Sequence, residues 1–266
     1  MMLLGSAVIT GLCAGVVAGL FGVGGGIIIV PALLLLFHLA DLPAAYLMQM
    51  AVGTSLATIV VTNLMATWKQ HQRQSVNWQA VGYYTPGILM GAWLGAQLAV
   101  RLDGGLLQTL FGLFEIGVGW RMITLGGEDE MGCRSQPLSR ILSACLGGGI
   151  GLVSALFGIG GGTLSVPALT LISRLPIRLA VGSSSAMGIF LALSGALGYI
   201  MAGWNNTALP LGSWGYVIPE AFFGIIMGTL LTTPFGVKLA HTLSPTLLKK
   251  GFGLFLVVIG LRLAVG

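Results

Sequence analysis

Three kinds of residue in this chain could do chemistry, and each recurs at a spacing that limits what that chemistry can be. The first is glycine in triplets: Gly24, Gly25 and Gly26, then Gly160, Gly161 and Gly162, each followed by a proline, Pro31 or Pro167. Glycine disfavours a helix interior by about 1 kcal/mol relative to alanine. Three together therefore predict unwound backbone, with a short helix restarting near Ile27 and near Thr163. The first amides of a helix lack intrahelical partners and carry the positive end of its dipole, so such a tip can bind an anion without a formal charge. The same glycines would also serve close helix packing, which is the reading preferred for the scattered Gly91, Gly95, Gly224 and Gly228.

The second kind is hydroxyl. Thr54, Ser55, Thr58, Thr62 and Asn63 form a stripe at helical spacing, and a later segment carries Ser183, Ser184 and Ser185. Hydroxyls donate to oxyanions, although on helices they also bond back to their own backbone. Thr54, Ser55, Ser183 and Ser184 recur at equivalent places and are the candidate ligands. The third kind is the carboxyl in an apolar run, Glu115 and Glu220. A carboxyl within a membrane is a candidate proton carrier, unless it pairs locally or snorkels to an interface.

Catalysis and cofactors find no support. No serine–histidine–acid or paired-carboxylate constellation stands out, and His38, His71 and His241 are scattered outside any metal motif. Cys13, Cys133 and Cys145 are odd in number and lack metal-ligand spacing, so they are expected to be reduced. Gly22-Val23-Gly24 lacks the third glycine of a dinucleotide loop, and no Gly-Lys-Ser/Thr follows it.

The elements that must position these residues follow from composition. Of 266 residues, 56% are hydrophobic and 7% charged, against about 25% charged in soluble domains. That excludes both a soluble enzyme and a disordered chain, and makes the net charge of +5 a sign of basic cytoplasmic loops rather than of nucleic acid. Apolar runs span approximately 3–20, 27–37, 44–67, 79–100, 106–124, 139–156, 163–173, 178–202, 214–240 and 246–265. The second and seventh are too short to cross a bilayer at about 1.5 Å per residue. The first run has no basic residue ahead of it, as a signal peptide would, and is expected to be a mature helix. Trp68, Trp78, Trp204 and Trp214 flank runs, as an aromatic belt requires.

The two halves are copies. GLFGVGGGIIIVPALLL (19–35) aligns with ALFGIGGGTLSVPALTL (155–171) at 11 of 17 positions, AVGTS (51–55) with AVGSS (180–184), and Pro86, Gly91 and Gly95 with Pro219, Gly224 and Gly228. The expected organisation is a first membrane repeat over 1–125, a cytoplasmic linker over 126–138 and a second repeat over 139–266. If each broken segment were one crossing, six basic residues would fall on either side. If each instead enters and returns on the same side as a hairpin, ten lie on one side of the membrane and only Arg101 and Arg262 on the other, which satisfies the positive-inside rule. The expected fold is an all-α polytopic membrane protein of two inverted-topology repeats. Each begins with a glycine-broken re-entrant helix hairpin followed by three transmembrane helices, and both termini lie outside.

Two copies of Leu-Phe-Gly-Val/Ile-Gly-Gly-Gly with Val-Pro-Ala-Leu, each followed by Ala-Val-Gly and hydroxyls, resemble the TauE/SafE sulfite exporter family. The resemblance covers nearly the whole chain, including the basic stretch from Trp68 to Trp78. It implies transport of sulfur-containing anions such as sulfite or organosulfonates, mostly outward across the bacterial inner membrane, with the site at Gly24–Gly26 and Gly160–Gly162. The second copy departs from the pattern in carrying Ser183-Ser184-Ser185. The expected function is thus a secondary anion transporter and not an enzyme, working by motion of one repeat against the other, with no cofactor and no metal. The expected partners are a small anion and the lipid bilayer, with a homodimer left open. An anion channel and a non-transporting membrane scaffold are the alternatives.

Overall fold

The computed structural model describes residues 2–21, 25–124, 139–242 and 245–265. Gly24 and the linker expected at 126–138 lie outside them. The chain forms α1 (Met2–Phe21), α2 (Gly26–Leu39), α3 (Leu47–Gln72), α4 (Trp78–Arg101), α5 (Gly104–Thr124), α6 (Arg140–Phe157), α7 (Gly162–Pro167), α8 (Ile177–Gly203), α9 (Pro219–Thr242) and α10 (Pro245–Val265). Among the described residues the only β feature is an isolated bridge between Trp214 and Val217.

Local chemistry sets the helix ends. Asn77 and Ser139 accept from the Ala80 and Leu142 amides and so cap α4 and α6. Proline lacks the N–H that a helix ladder needs, and after Pro167 the helix widens through Ala168–Ile172, where the Ser173 amide reaches back to Ala168 O. Besides α7, which gives way at Pro167 to that wider turn, two helices depart from the apolar runs. α3 continues through Lys69 and His71 to Gln72, beyond the apolar run. α9 starts at Pro219, five residues later than its run, because Gly212 and Gly215 at positive φ turn the chain just before it.

Glycine contacts fix the helix directions. Gly87, Gly91 and Gly95 of α4 lie on the backbone of Ala144, Gly148 and Leu152 of α6, so these two helices run parallel. Gly11 and Gly15 of α1 lie on Ile225 and Thr229 of α9 in the same sense. Ser194 of α8 bonds Leu89 O and Gln97 of α4 bonds Gly198 O, so α4 is also parallel to α8. Hence α6 and α8 share a direction, and the segment between them turns back. By contrast α3 and α8 are antiparallel, with Gly53 beside Tyr199 and Gly188 beside Asn63. So are α5 and α10, with Gly112 beside Gly260 and Gly119 beside Gly253.

The buried interior is apolar, with Phe37, Met50, Leu56, Ile59, Ile88, Phe111 and Tyr199 fully enclosed. Large apolar side chains also cover the outside, among them Leu94, Leu193, Phe223 and Leu254. Three helical stretches, Ala44–Gln72, Arg140–Phe157 and Arg178–Gly203, are long and apolar enough to cross a membrane. Trp68, Trp78, Trp204 and Trp214 are exposed at or near helix ends. Cys13 and Cys145 are exposed and unpaired.

Two glycines of α4 separate packing from propensity. A Cβ on Gly91 would strike the Gly148 carbonyl, whereas one on Gly82 meets nothing within 4 Å. Gly91→Ala is expected to destabilise by about 1–3 kcal/mol through overpacking. Gly82→Ala should stabilise by about 1 kcal/mol, both read by thermal unfolding in detergent.

Candidate functional site

The described glycines of both triplets mark helix starts where the sequence places them. Gly25 and Gly161 precede α2 and α7 at φ 77 and 74, and Gly158 ends α6 at φ 67. Only glycine takes this left-handed conformation without steric strain. The two breaks touch. A Cβ on Gly26 would lie 2.6 Å from Gly158 O and 3.1 Å from Gly160 N. They sit beside the middles of the two longest helices, against Ile59 and Asn63 of α3 and against Gly188 and Leu191 of α8. Unwound backbone at that depth must be enclosed by protein or line a cavity.

The hydroxyls from α3 and α8 hold backbone. Ser55 donates to Gly158 O at 2.9 Å and so pins the end of α6. Thr54 Oγ1 accepts from the Ile218 amide at 3.0 Å, and Ser183 Oγ accepts from the Asn77 amide at 2.8 Å. The two hydroxyls stand at matching positions of the repeat, and each holds the residue just before a helix, α9 or α4. Ser184 donates back to Val181 O of its own helix, and Thr58 to Ser55 O. Of the four candidate hydroxyl residues, Ser55 is therefore the one that hydrogen-bonds a break.

Sequence reasoning passed over two side chains, Thr163 and Ser165, in the first turn of α7. With the Asn63 amide nitrogen, their hydroxyl oxygens are buried and without a hydrogen-bond partner among the described residues. The signal was present in the repeat: these two hydroxyls stand at mismatched positions, opposite Ile27 and Ile29.

The family model for the sulfite exporter TauE/SafE matches residues 7–263. The chain belongs to the TauE/SafE family. It is 36% identical to a probable membrane transporter protein of Haemophilus influenzae, over 96% of each chain. It is 29% identical to one of Methanocaldococcus jannaschii, over 98% of this chain and 95% of the relative. A Xylella fastidiosa relative of the same description is 31% identical over 93% and 89%. No solved structure gives a significant match. Membership in this family, with several apolar helices, makes the protein a membrane-embedded transporter rather than an enzyme.

Within this TauE/SafE chain the two carboxyls have different settings. Glu115 is fully buried on α5, and neither oxygen has a partner among the described residues. Glu220 is exposed in the first turn of α9, where a helix favours negative charge. Among the described residues no three histidine, cysteine or acidic side chains gather as a metal site.

The paired anchors are testable. Thr54→Val and Ser183→Ala each leave a backbone amide without its acceptor, a change expected to cost about 1–3 kcal/mol. Thermal unfolding should show the loss, and hydrogen exchange should speed up at Ile218 or Asn77 respectively.

Proposed function

We propose that this transporter is a secondary exporter of small sulfur-containing anions, sulfite or organosulfonates, across a bacterial inner membrane. The observation that carries the reading is the contact of Gly26 with Gly158 and Gly160 at mid-helix depth. Two helix tips, each begun by a left-handed glycine, converge where an anion in transit would be farthest from water. Neutral dipoles bind with modest strength, which suits release on the far side. The antiparallel pairing of α3 with α8 and of α5 with α10 supports two inverted-topology repeats. The shared direction of α6 and α8 supports re-entrant hairpins.

The helix directions group the ends bearing Lys69, Arg73, Arg121, Arg140, Arg174 and Arg178, with Arg101 and Arg262 opposite. The positive-inside rule then puts the first group in the cytoplasm and both termini outside. An anion leaving the cell gains about 2.3 kcal/mol per charge per 100 mV, which drives export. Glu115, buried without a partner, is the proposed site of proton coupling.

The test is sulfite and ethanesulfonate flux in proteoliposomes. A Cβ at Gly26 enters the Gly158 carbonyl, so Gly26→Ala is expected to lower flux by about tenfold or more. Gly117→Ala, in open space, should leave flux intact. Unchanged flux in folded Gly26→Ala removes the site, and flux that never saturates makes the protein a channel. Separately, Glu115→Gln is expected to abolish any stimulation of flux by a pH gradient while transport driven by membrane potential persists. Stimulation that survives the substitution places the coupling elsewhere.

A further inference from the structure

A glycine and the hydroxyl after it recur at matching places in the two central helices, Gly53-Thr54 in α3 and Gly182-Ser183 in α8. Each pair receives a loop in the same manner. Tyr216 O lies 3.0 Å from the position a Cβ on Gly53 would take, and the Ile218 amide donates to Thr54 Oγ1 at 3.0 Å. A Cβ on Gly182 would strike the Ser75 carbonyl, and the Asn77 amide donates to Ser183 Oγ at 2.8 Å. In both loops the carbonyl precedes the amide by two residues. The loop residues do not themselves correspond, since Pro86 lies inside α4 whereas Pro219, its match, opens α9. The duplication therefore accounts for the paired receptors but not for what they receive. Loops ordinarily run over the surface, yet Tyr216, Val217 and Ile218 are buried. The Tyr216 ring centre stands 5.9 Å from that of Tyr46 and 6.3 Å from that of Tyr199.

Both attachments flank the breaks. Gly26 and Gly160 lie against Ile59 of α3, five residues past Thr54, and Gly160 O lies against Gly188 of α8, five residues past Ser183. At about 1.5 Å per residue each attachment stands about 7–8 Å along its helix from the breaks. Because α3 and α8 are antiparallel, the two attachments lie on opposite sides of them. We propose that the loops 73–77 and 212–218 are the two gates of the transporter, latched by Ser183 and Thr54 respectively. Both are shut in this structure. Each latch is a hydrogen bond from a loop amide to a side chain, far less to undo than the seams between α4 and α6 and between α1 and α9, which rest backbone on backbone. Opening is therefore a movement of a loop while the paired helices keep their packing. By the orientation given above, 73–77 is the inner gate and 212–218 the outer. This rests on the reading that the transport path runs past the breaks, and adds what closes that path on either side.

The experiment places a reporter cysteine at Asn63, which is 3% exposed and borders Gly160 and Gly188, in a chain carrying Cys13→Ser, Cys133→Ser and Cys145→Ser. A charged, membrane-impermeant methanethiosulfonate is added to intact cells or to inside-out membrane vesicles, and the labelling rate of Asn63→Cys is measured. With both latches intact, labelling should be slow from either side. Thr54→Val should speed it from outside by about tenfold, the worth of one hydrogen bond, and leave the cytoplasmic rate unchanged. Ser183→Ala should do the reverse. Gly182→Ala should act like Ser183→Ala, since its Cβ displaces the Ser75 carbonyl. Thr54→Ser, which keeps the acceptor, should label as slowly as the parent. Thr54→Val and Ser183→Ala both lose stability, so a merely structural role would speed labelling from both sides alike. Such two-sided acceleration, or none in folded variants, overturns the gates. A reporter that reacts from neither side in any variant, although it reacts once the protein is unfolded, overturns the path past the breaks as well.

Discussion

Hydrocarbon offers nothing to an unpaired backbone group, and the rest of this structure is arranged around that constraint. At Gly25 and at Gly160 and Gly161 the chain is unwound at the depth where such groups are hardest to satisfy. The fold answers by placing the breaks against each other and enclosing them between the middles of α3 and α8. Ser55 reaches across to the carbonyl of Gly158, and the Ser154 carbonyl accepts from the Ile159 amide as the chain leaves α6. Satisfying the backbone in this way is what permits a polar point inside an otherwise apolar bundle.

The glycines outside the triplets serve a separate end. In lipid there is little hydrophobic gain from bringing two apolar helices together, so close approach and dispersion must hold them. Gly87, Gly91 and Gly95 let α4 rest on the backbone of α6, and Gly11, Gly15 and Gly228 do the same for α1 and α9. Hydrogen bonds from Thr232 to Leu12 O and from Ser194 to Leu89 O lie along or near these seams. The anchors at Thr54 and Ser183 then fasten the loops ahead of α9 and α4 to the central pair.

Much of this was legible in the sequence because it depends on local residue chemistry. Gly25 and Gly161 take the left-handed conformation that the triplets announce, and most helices begin and end within three residues of the apolar runs. What was not legible depends on distant partners. Nothing near Thr54 in sequence tells that its acceptor oxygen is used by an amide 164 residues away. The polarity of the second break was hidden differently: attention to identities in the repeat draws the eye from Thr163 and Ser165, which are mismatches. Glu220 follows Pro219 early in its apolar run. An acid directly after a proline suits a helix beginning, and α9 starts there.

The interlocked seams cross the boundary between the duplicated segments. α1 from the first copy is keyed to α9 from the second, and α6 from the second is keyed to α4 from the first. Helices in backbone contact cannot slide or roll independently, so each pair behaves as one rigid strut. Each of these close-packed pairs therefore joins a helix from residues 2–124 to one from residues 139–265, so a movement within either stretch of the chain is felt by the other.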